Sequence, residues 1–488
     1  MTDSDRAIVI GSSVAGLVAA RVLSEHFAEV VVIERDPPPT GPQPRKGVPQ
    51  GRHTHAVLKG GADVLGELFA GFWPQMLEAG SRYTDLAEDW VWFHHDVFKQ
   101  RHTTGLYMYC QTRPMLEWHV RQRVVALGNV ELRHDHTVAD LVHDAARSQV
   151  TGVRLRARGQ EQTTTLSAAV VVDTSGRGTQ TPRWLEALGY GRPPEQTVKT
   201  NVGYASRLVK LADDPARDWK CMLIYPRAPH QTRVGYIFPV EGGHHIMTLA
   251  GYCGDYPPAD EEGFMAFARD VPRPEYYREI SRAEFLTPIA THRLPSNLRR
   301  RYERMARFPE GLLVLGDAVC SFNPLFGQGM TTAALGANVL RRCLAGRSSS
   351  DPSLRGPSLV RGLAKELWAG LRPINDIAWL LATTEDMRYP QVEGRRPLGI
   401  GALNWFKAQL LELSAVDVDI HTRFLEVLCF KRGLEALMHP SVVARVLRWS
   451  LRPRDRERLR RFPRGPQVGS GVPSGAASGG PSVPRAAE

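Results

Sequence analysis

A chain of 488 residues is long enough for two or three domains, and its six cysteines, which lack CxxC spacing, argue against a zinc site or a disulfide framework. No signal peptide and no apolar run of membrane-spanning length is visible, which predicts a cytoplasmic protein without stable membrane insertion. The net charge of +11 does not predict a nucleic-acid partner, because the basic stretch that begins at residue 451 lacks aromatic platforms for bases.

The N-terminal segment has the pattern of a strand–helix–strand unit. Apolar runs at residues 7–10 and 29–33 predict two buried strands, and residues 17–23 between them predict a helix. Parallel strands joined by a helix are the building unit of Rossmann-type α/β domains. The chain therefore begins with the pattern of a nucleotide-binding domain.

The loop of this unit, from Gly11 to Gly16, has the form G-x-S-x-x-G of the dinucleotide fingerprint. Gly11 allows the tight turn, and Gly16 allows the helix to pack closely on the strand. Ser13 replaces the middle glycine with a side chain small enough for a pyrophosphate to approach. Glu34, which follows the second strand, stands where an acid can bind ribose hydroxyls. These residues predict a bound dinucleotide.

Residues 37–55 form a loop rich in Pro and Gly, and loops of this length are commonly functional. The charge of Arg45 suits a phosphate of the dinucleotide. His53 and His55 form a His-x-His pair, but no cluster of further metal ligands accompanies them. The preferred interpretation is a loop ordered by hydrogen bonds to the cofactor and the core, rather than a metal site.

Two polar segments follow in the first half of the chain. A helix is predicted over residues 113–123 with Pro114 in its first turn, and Arg113 at its start lies either at a phosphate or at the surface. A buried strand at residues 168–172 ends in a polar turn that begins with Asp173. This turn is of the same kind as the Gly-Asp turn found later in the chain.

The second half of the chain changes its pattern twice. Residues 184–300 alternate between polar and apolar positions and predict an antiparallel sheet, which can roof a cavity over the cofactor. Apolar positions then recur with helical period over residues 359–369, 374–383, 400–415 and 419–437. From residue 465 the composition is rich in Gly, Ser, Pro and Ala, and disorder is expected.

The most informative stretch is residues 311–330. A short buried strand at residues 312–315 stops at Gly316-Asp317, and a loop over residues 323–329 leads to a helix that starts at Met330. Glycines in the loop let backbone N–H groups approach a ligand, and the helix dipole favours negative charge at the helix N-terminus. The stretch therefore predicts a site for an electron-rich group.

These motifs stand in an order that resembles the flavoprotein monooxygenases built on the para-hydroxybenzoate hydroxylase fold: the G-x-S-x-x-G loop with its acid, the turn at residues 173–178, and the Gly-Asp turn with its glycine loop. The resemblance covers about residues 5–345. It implies that the first motif binds the ADP half of FAD and that Asp317 binds the ribityl or ribose part. It further implies that Pro324 and the glycine loop lie against the isoalloxazine.

The fold class expected from this resemblance is α/β, with a Rossmann-type FAD-binding domain of the glutathione-reductase kind, an antiparallel substrate sheet and a C-terminal helical region. The expected boundaries are residues 1–183 and 301–350 for the FAD-binding domain, 184–300 for the substrate sheet, 351–464 for the helical region and 465–488 for a disordered tail.

A finer resemblance rests on three strings, at residues 47–55, 323–330 and 379–388, which are similar to those of squalene-epoxidase-like bacterial enzymes, including the polyene epoxidases of polyether ionophore biosynthesis. This resemblance implies that FAD and O2, through a C4a-hydroperoxyflavin, epoxidise alkenes of a hydrophobic polyketide or terpenoid polyene. Epoxidation requires no strong base for the substrate, and none is assigned. An aromatic hydroxylase and a prenyl-chain reductase of the same fold are the alternatives.

Some features depart from the hydroxylase pattern. Val319-Cys320 occupies the region where hydroxylases have a histidine, and the turn after Asp173 differs from the motif tied to NADPH. No second dinucleotide fingerprint is present, so electrons are expected either from NADPH or from a separate flavin reductase as partner. The Trp-x-Trp-x-Ile-Pro string of flavin halogenases is absent, because Trp90-Val-Trp92 continues as Phe-His-His.

The motifs and the resemblance together define an expected site that contains no metal. The flavin environment, with no acid–base residue assigned, comprises Pro324, Gly327, Gln328 and Gly329. The expected cofactor-binding residues are Gly11, Ser13, Ala15, Gly16, Glu34, Arg35, Arg45, Gln50, His53, Arg113, Asp173, Gly316, Asp317, Pro324, Gly327, Gly329 and Met330.

Overall fold

The computed structural model of the protein describes residues 5–461. The strands are β1 (Arg6–Ile10), β2 (Glu29–Ile33), β3 (Arg82–Asp85), β4 (Trp90–His94), β5 (Val97–Phe98), β6 (Tyr107–Cys110), β7 (Val130–Arg133), β8 (His136–Asp144), β9 (Gln149–Ala157), β10 (Thr163–Ser167), β11 (Val170–Asp173), β12 (Glu195–Lys210), β13 (Cys221–Ile224), β14 (Arg233–Pro239), β15 (His245–Gly251), β16 (Glu284–Phe285), β17 (Ala290–Arg300), β18 (Leu312–Val314), β19 (Cys320–Ser321) and β20 (Glu393–Gly394). The helices are α1 (Val14–Leu23), α2 (Lys59–Leu68), α3 (Phe72–Glu78), α4 (Arg113–Val125), α5 (Thr181–Ala187), α6 (Glu261–Arg269), α7 (Pro274–Ile280), α8 (Gly329–Ser350), α9 (Gly356–Val360), α10 (Leu363–Asp386), α11 (Ile400–Leu413), α12 (Val418–Leu428), α13 (Pro440–Ser450) and α14 (Pro453–Arg461).

A five-stranded parallel sheet in the order β18-β11-β1-β2-β7 forms the centre of the nucleotide-binding half. Val9 of β1 lies in register with Val32 on one side and with Val172 on the other. These valines pack among helices α1, α4 and α8, whereas Ile8 and Val31 face the opposite side and pack against the three-stranded sheet β10-β9-β8. Burial on both faces explains why the strands are continuous apolar runs in the sequence.

A second, larger sheet of ten strands lies beside this unit, with β12 at its centre between β17 and β15. The predicted antiparallel region supplies most of it, but β4 and β5 join from residues 90–98, outside the predicted 184–300 segment. The pairing of β4 with β13 is parallel. All five residues of β4 are buried. The sequence of the strand therefore lacks the alternation of polar and apolar residues that marks a strand with one face in solvent.

The C-terminal helices differ from the sequence prediction at two points. Residues 359–369 and 374–383, predicted as two helices, belong mainly to one helix, α10, which continues through Pro373. Leu367 and Leu371 on one side of this proline and Ala378 on the other are all buried, and this shared packing keeps the segment helical. The helix predicted over residues 419–437 ends at Leu428, because Phe430 has a φ of 58° that a right-handed helix cannot accommodate.

The structure confirms the predicted fold class: an α/β nucleotide-binding unit, a largely antiparallel sheet and a helical C-terminal region. Within residues 5–461, no helix combines the length and the hydropathy needed to span a membrane. The expected disordered tail at residues 465–488 lies outside the described part of the chain.

Candidate active site

A long cleft opens at the carboxyl ends of the parallel strands, where ligands of open α/β sheets bind. Gly11, Glu34, Thr174 and Asp317 follow strands β1, β2, β11 and β18 and line the cleft side by side. Its empty volume, including the part open to solvent, is about 2180 Å³. The cleft is therefore large enough to hold an extended dinucleotide.

The fingerprint loop forms one end of the cleft. Gly11 has a φ of 98°, a left-handed conformation that favours glycine, and its N–H donates to the carbonyl oxygen of Ile33 at 2.8 Å. Helix α1 starts at Val14 with no acidic residue in its first turn, so its positive end is available to an anion. Gly16 lies behind the loop, where a Cβ would overlap the carbonyl oxygen of Gly11.

Replacement of Gly16 by alanine should destabilise the fold and lower the cofactor content of the purified protein, because the backbone of Gly11 must move to admit the methyl group. Overpacking of this kind costs about 1–3 kcal/mol. Thermal unfolding and bound-flavin absorbance measure the two effects. Gly346→Ala is the matched control, since nothing lies within 4 Å of its added Cβ. Equal melting temperatures for the two variants would contradict the packing argument.

Glu34 is held firmly at the edge of the cleft. Its carboxylate accepts hydrogen bonds from the N–H of Ser12 at 3.1 Å, from the Ser12 hydroxyl at 2.6 Å and from the N–H of Asp36 at 3.0 Å. Burial alone would raise the pKa of Glu34, but the Arg45 guanidinium and these donors outweigh it and lower the pKa. Glu34 is therefore an anion that accepts hydrogen bonds, as a ribose ligand must be.

Arg45 and Arg113 both line the cleft, but they have different partners. Arg45 forms ion pairs with Glu34, Asp36 and Glu117, so acids of the protein already satisfy its charge. Arg113 donates to the Ser13 hydroxyl at 2.9 Å and to Nε2 of His55 at 3.1 Å. The sequence left two positions open for Arg113, at a phosphate or at the surface. The structure places Arg113 in the cleft, next to the fingerprint loop.

The Gly-Asp turn brings a carboxylate into the middle of the cleft. The side chain of Asp317 lines the cleft, and it makes no hydrogen bond to any other residue in the 5–461 range. Burial raises its pKa, and the nearby Arg113 and Arg177 oppose that rise. A half-buried acceptor without a donor among the described residues is suited to ligand hydroxyl groups.

The loop from Asn323 to Gln328 closes the cleft at the other end. Gly327 has a φ of 63° and directs the chain into α8, whose first turn carries no acid. Gln328 is 1% exposed, lines the cleft, and both polar atoms of its side-chain amide lack a partner in the described residues. The loop thus offers a helix N-terminus and a free amide to a ligand.

Asp386 holds this loop in place through hydrogen bonds, and the sequence assigns it no role. Its carboxylate, which is 0% exposed, accepts from the side-chain amides of Asn297 at 2.7 Å and Asn323 at 2.9 Å. The N–H of Asn323 donates to Asn297 at 2.5 Å, and the Asn323 side chain accepts from the N–H of Leu325 at 3.1 Å. The string at residues 379–388, noted in the sequence, was the available signal for this residue.

An apolar cavity adjoins the cleft beneath the large sheet. Its empty volume, including the part open to solvent, is about 1080 Å³. It meets the cleft at residues 54–56, Tyr204, Pro324 and Gly327, which line both spaces. The remaining wall is mainly aromatic and aliphatic: Leu58, Leu86, Trp90, Trp92, Leu223, Tyr225, Tyr236, Phe238, Leu325, Phe326, Leu381, Leu411, Phe424 and Leu428. A bulky hydrophobic molecule can therefore reach the loop at Pro324 from this side.

Most of the predicted site residues come together in the cleft. They are Gly11, Ser13, Ala15, Glu34, Arg35, Arg45, Gln50, Arg113, Asp317, Pro324, Gly327, Gln328, Gly329 and Met330. Sequence reasoning did not include Thr174, Arg177, Tyr204 and His292, which also line it. Those residues follow or lie on strands whose place in the sheets only the fold reveals.

Four residues predicted to bind the cofactor do not line the cleft. Gly16 and Gly316 lie beneath its floor, where Gly316 packs near Ala15. Asp173 is fully buried, and its carboxylate accepts from the hydroxyls of Ser175 at 2.6 Å and Thr181 at 2.6 Å and from that of Thr179, so it shapes its own turn.

His53, the fourth of them, lines the apolar cavity, with Nδ1 at 2.9 Å from the Ser206 hydroxyl. Burial lowers its pKa to about 3, so the ring is neutral. His55 places Nδ1 at 2.9 Å from the carbonyl oxygen of His53 and accepts from Arg113 through Nε2. These contacts tie the loop to the core through hydrogen bonds, while Nε2 of His53 has no hydrogen-bond partner in the described residues.

The cleft fits the chemistry of FAD. The Gly11–Gly16 loop and the start of α1 suit a pyrophosphate, and Glu34 and Asp317 provide acceptors for hydroxyl groups of the ribose and the ribityl chain. The unpartnered amide of Gln328 and the start of α8 suit the polar edge of an isoalloxazine ring. The residues present therefore provide a partner for each part of this cofactor.

Comparison with known proteins supports the same cofactor. A family model described as FAD binding domain matches residues 5–349. Protein Rv3254 of Mycobacterium tuberculosis is 35% identical over 395 residues, which cover 78% of this chain and 82% of that protein.

Two solved structures share the fold over most of the chain. The flavin-dependent brominase Bmp2 has a TM-score of 0.60 at 17% identity, with coverage of 92% of this chain and 99% of the other. The 2-methyl-3-hydroxypyridine-5-carboxylic acid oxygenase, in its tetrameric form, has a TM-score of 0.56 at 18% identity, with coverage of 78% and 91%. At such identities the likeness establishes the fold alone, and the two names denote different reactions.

Proposed function

Because this chain belongs to the family of FAD-binding-domain proteins and has the fold of the flavin monooxygenases, we propose that it is an FAD-dependent monooxygenase that epoxidises an alkene of a hydrophobic polyene. The proposed substrate is a polyketide or terpenoid chain of secondary, polyether-type metabolism. NADPH or a separate flavin reductase supplies the electrons, O2 supplies the oxygen atom, and the cytoplasm is the proposed location.

The observation that carries this proposal is the junction between the cleft and the apolar cavity. The cavity meets the cleft at Pro324 and Gly327, which line both spaces, and its wall is mainly aromatic and aliphatic. A long apolar molecule can thus bring one double bond to the cofactor and bury the rest of its length among the aromatic side chains.

The chain contributes binding, orientation and exclusion of water, while bound FAD supplies the redox chemistry. Asp317 and Glu34 hold hydroxyl groups of the cofactor, and the N-terminus of α8 stabilises negative charge near Gly329. The mainly apolar wall keeps water from the site of oxygen transfer. An alkene requires no base for its activation, so the absence of an assigned acid–base residue is compatible with the reaction.

The test uses the protein reconstituted with FAD and supplied with O2, with electrons from NADPH in one assay and from a flavin reductase in another. Squalene and farnesol serve as polyene probes. The expected product contains one additional oxygen atom and one C=C bond fewer, as measured by mass spectrometry and NMR. A product that gained two hydrogen atoms would assign the protein as a reductase, and a ring-hydroxylated product from phenolic probes alone would assign it as an aromatic hydroxylase.

Blocking the cavity should separate substrate oxidation from cofactor binding. Leu223 lies on β13 in the cavity wall and outside the cleft, so Leu223→Trp fills the cavity without contacting the FAD site. We expect normal flavin content and at least a tenfold loss of product, since a bulky side chain replaces the volume that the polyene needs. Leu223→Met, which conserves volume, is the control. Unchanged product formation in the Trp variant would place substrate binding elsewhere.

A further inference from the structure

The apolar cavity contains a pair of polar side chains that the proposed reaction does not use. His94 is the last residue of β4, and Glu385 is the penultimate residue of α10. Both are buried, at 7% and 8% exposure, and both line the cavity. Burial of a histidine and a carboxylate among hydrocarbon side chains costs free energy unless both have hydrogen-bond or ion-pair partners.

The carboxylate of Glu385 is an anion, and the two cations beside it are already paired with it. Lys407 and Arg388 each lie 3.0 Å from an oxygen of Glu385, and although burial would raise the pKa of Glu385, these cations hold it well below its usual range. Lys407 also donates to the Thr384 hydroxyl at 2.8 Å and to the carbonyl oxygen of Leu381 at 3.2 Å. Nζ of Lys407 thus has three acceptor groups of the protein within 3.2 Å, which matches the number of its ammonium protons.

The histidine is neutral and under-bonded. Burial and the adjacent His95 keep the pKa of His94 well below its ordinary value, although Glu385 opposes this. Its Nδ1 has no hydrogen-bond partner in the described residues. Its Nε2 lies 3.9 Å from Glu385 Oε2, which is too long for a direct hydrogen bond. Since the carboxylate is on that side, its charge favours the tautomer with the proton on Nε2.

Only certain groups fit between a carboxylate oxygen and an imidazole N–H. A hydroxyl group donates to Glu385 and accepts from His94, which satisfies both. An ether or carbonyl oxygen accepts from His94 but adds no donor to the carboxylate, and a carboxylate ligand is repelled by Glu385. His94, His95 and Glu385 have the ligand types of a metal site, with atoms within 4.8 Å of one another, but Lys407 and Arg388 already neutralise Glu385 and repel a cation.

We propose that His94 and Glu385 form a binding subsite for a neutral hydroxyl group on an otherwise apolar substrate. The substrate class is therefore an alcohol or phenol with a large hydrocarbon part. His94 contacts the ring of Tyr225 with centroids 4.8 Å apart, and the Tyr225 hydroxyl donates to the carbonyl oxygen of Leu325 at 2.8 Å, so the subsite is one side chain away from the loop at Pro324. The proposal rests on the proposed function only in taking this cavity as the substrate site.

The experiment measures binding to the FAD-loaded, oxidised protein by calorimetry, with 1-decanol, its methyl ether and decanoate as probes. We expect decanol to bind roughly 10- to 100-fold more tightly than the methyl ether, the range that corresponds to the one hydrogen bond that only the alcohol donates to the charged Glu385. His94→Phe should weaken the binding of both probes, because each accepts from the imidazole N–H, whereas the preference for decanol, which comes from its donation to Glu385, should persist.

His95→Asn is the control, because His95 does not line the cavity and asparagine tolerates its φ of 54°. It should keep the wild-type affinities for both probes. Equal affinities of decanol and its ether in the wild-type protein would overturn the proposal without any variant, as would tightest binding of decanoate. Stabilisation of the wild type but not of His94→Phe by Zn²⁺ would assign a metal site instead. Binding is measured without turnover, so failure of the epoxidase assay leaves this result unaffected.

Discussion

Replacement of Asp317 by alanine is expected to yield a folded protein that purifies without flavin. The carboxylate lies in the cleft between Arg113 and Arg177 and has no hydrogen-bond donor among the described residues, so its hydrogen bonds are available to the cofactor. Loss of a hydrogen bond to a charged acceptor weakens binding by about 1.5–3 kcal/mol, which is roughly ten- to hundredfold in the dissociation constant of FAD. Visible flavin absorbance and titration of the apoprotein with FAD measure this loss.

Asp317→Asn is the companion variant, because it keeps the size of the side chain and removes only the charge. It should fall between wild type and Asp317→Ala, since an amide oxygen still accepts a hydrogen bond. Thermal unfolding of the three apoproteins shows whether the substitution acts through the fold. Full flavin occupancy of Asp317→Ala would show that the residue does not hold the cofactor.

Replacement of Asp386 by alanine is expected to cause the largest loss of stability and to disorder the loop at the end of the cleft. The buried amides of Asn297 and Asn323 would lose their shared acceptor. Each buried donor left without a partner costs about 1–3 kcal/mol, so a loss of about 2–6 kcal/mol in the free energy of unfolding is expected. Denaturant unfolding measures the loss, and the flavin absorbance of the remaining folded protein reports the state of the loop.

Asp386 should also make stability depend on pH. Burial raises the pKa of Asp386 from 3.8 to about 7, so the folded protein binds this proton more tightly than the unfolded chain. Its contribution to stability is therefore complete below about pH 3.8 and is lost as the pH rises through about 7. Asp386→Asn cannot titrate and should lack this slope. The same slope between pH 4 and 7 in both proteins would assign it to another group.

The local chemistry of the cofactor site could be predicted because it depends on residues close together in the chain. Gly11 and Gly16 are required by a single turn, and Asp317 follows its strand directly. Such motifs depend on a backbone conformation that few residue types can adopt and on the N-terminus of the helix that follows. The sequence therefore located the cleft, and most of the residues predicted for the site line it.

Asp173 shows where this reasoning fails. Its place after a strand matched that of Asp317, but Ser175 and Thr181 donate to its carboxylate and keep it inside its own turn. Two acids in equivalent sequence positions thus have different roles, because neighbouring hydroxyls satisfy one carboxylate and not the other.

The sequence by itself determined the fold class, the dinucleotide fingerprint and the order of the cofactor motifs. Only the tertiary structure decided the substrate cavity, the bracing of the loop by Asp386, and the meeting of His94 with Glu385. The physical reason is that these contacts join a strand of the large sheet, a C-terminal helix and the cofactor loop. No local backbone rule links those segments, and their side chains meet only because the folded protein buries all three elements against one another.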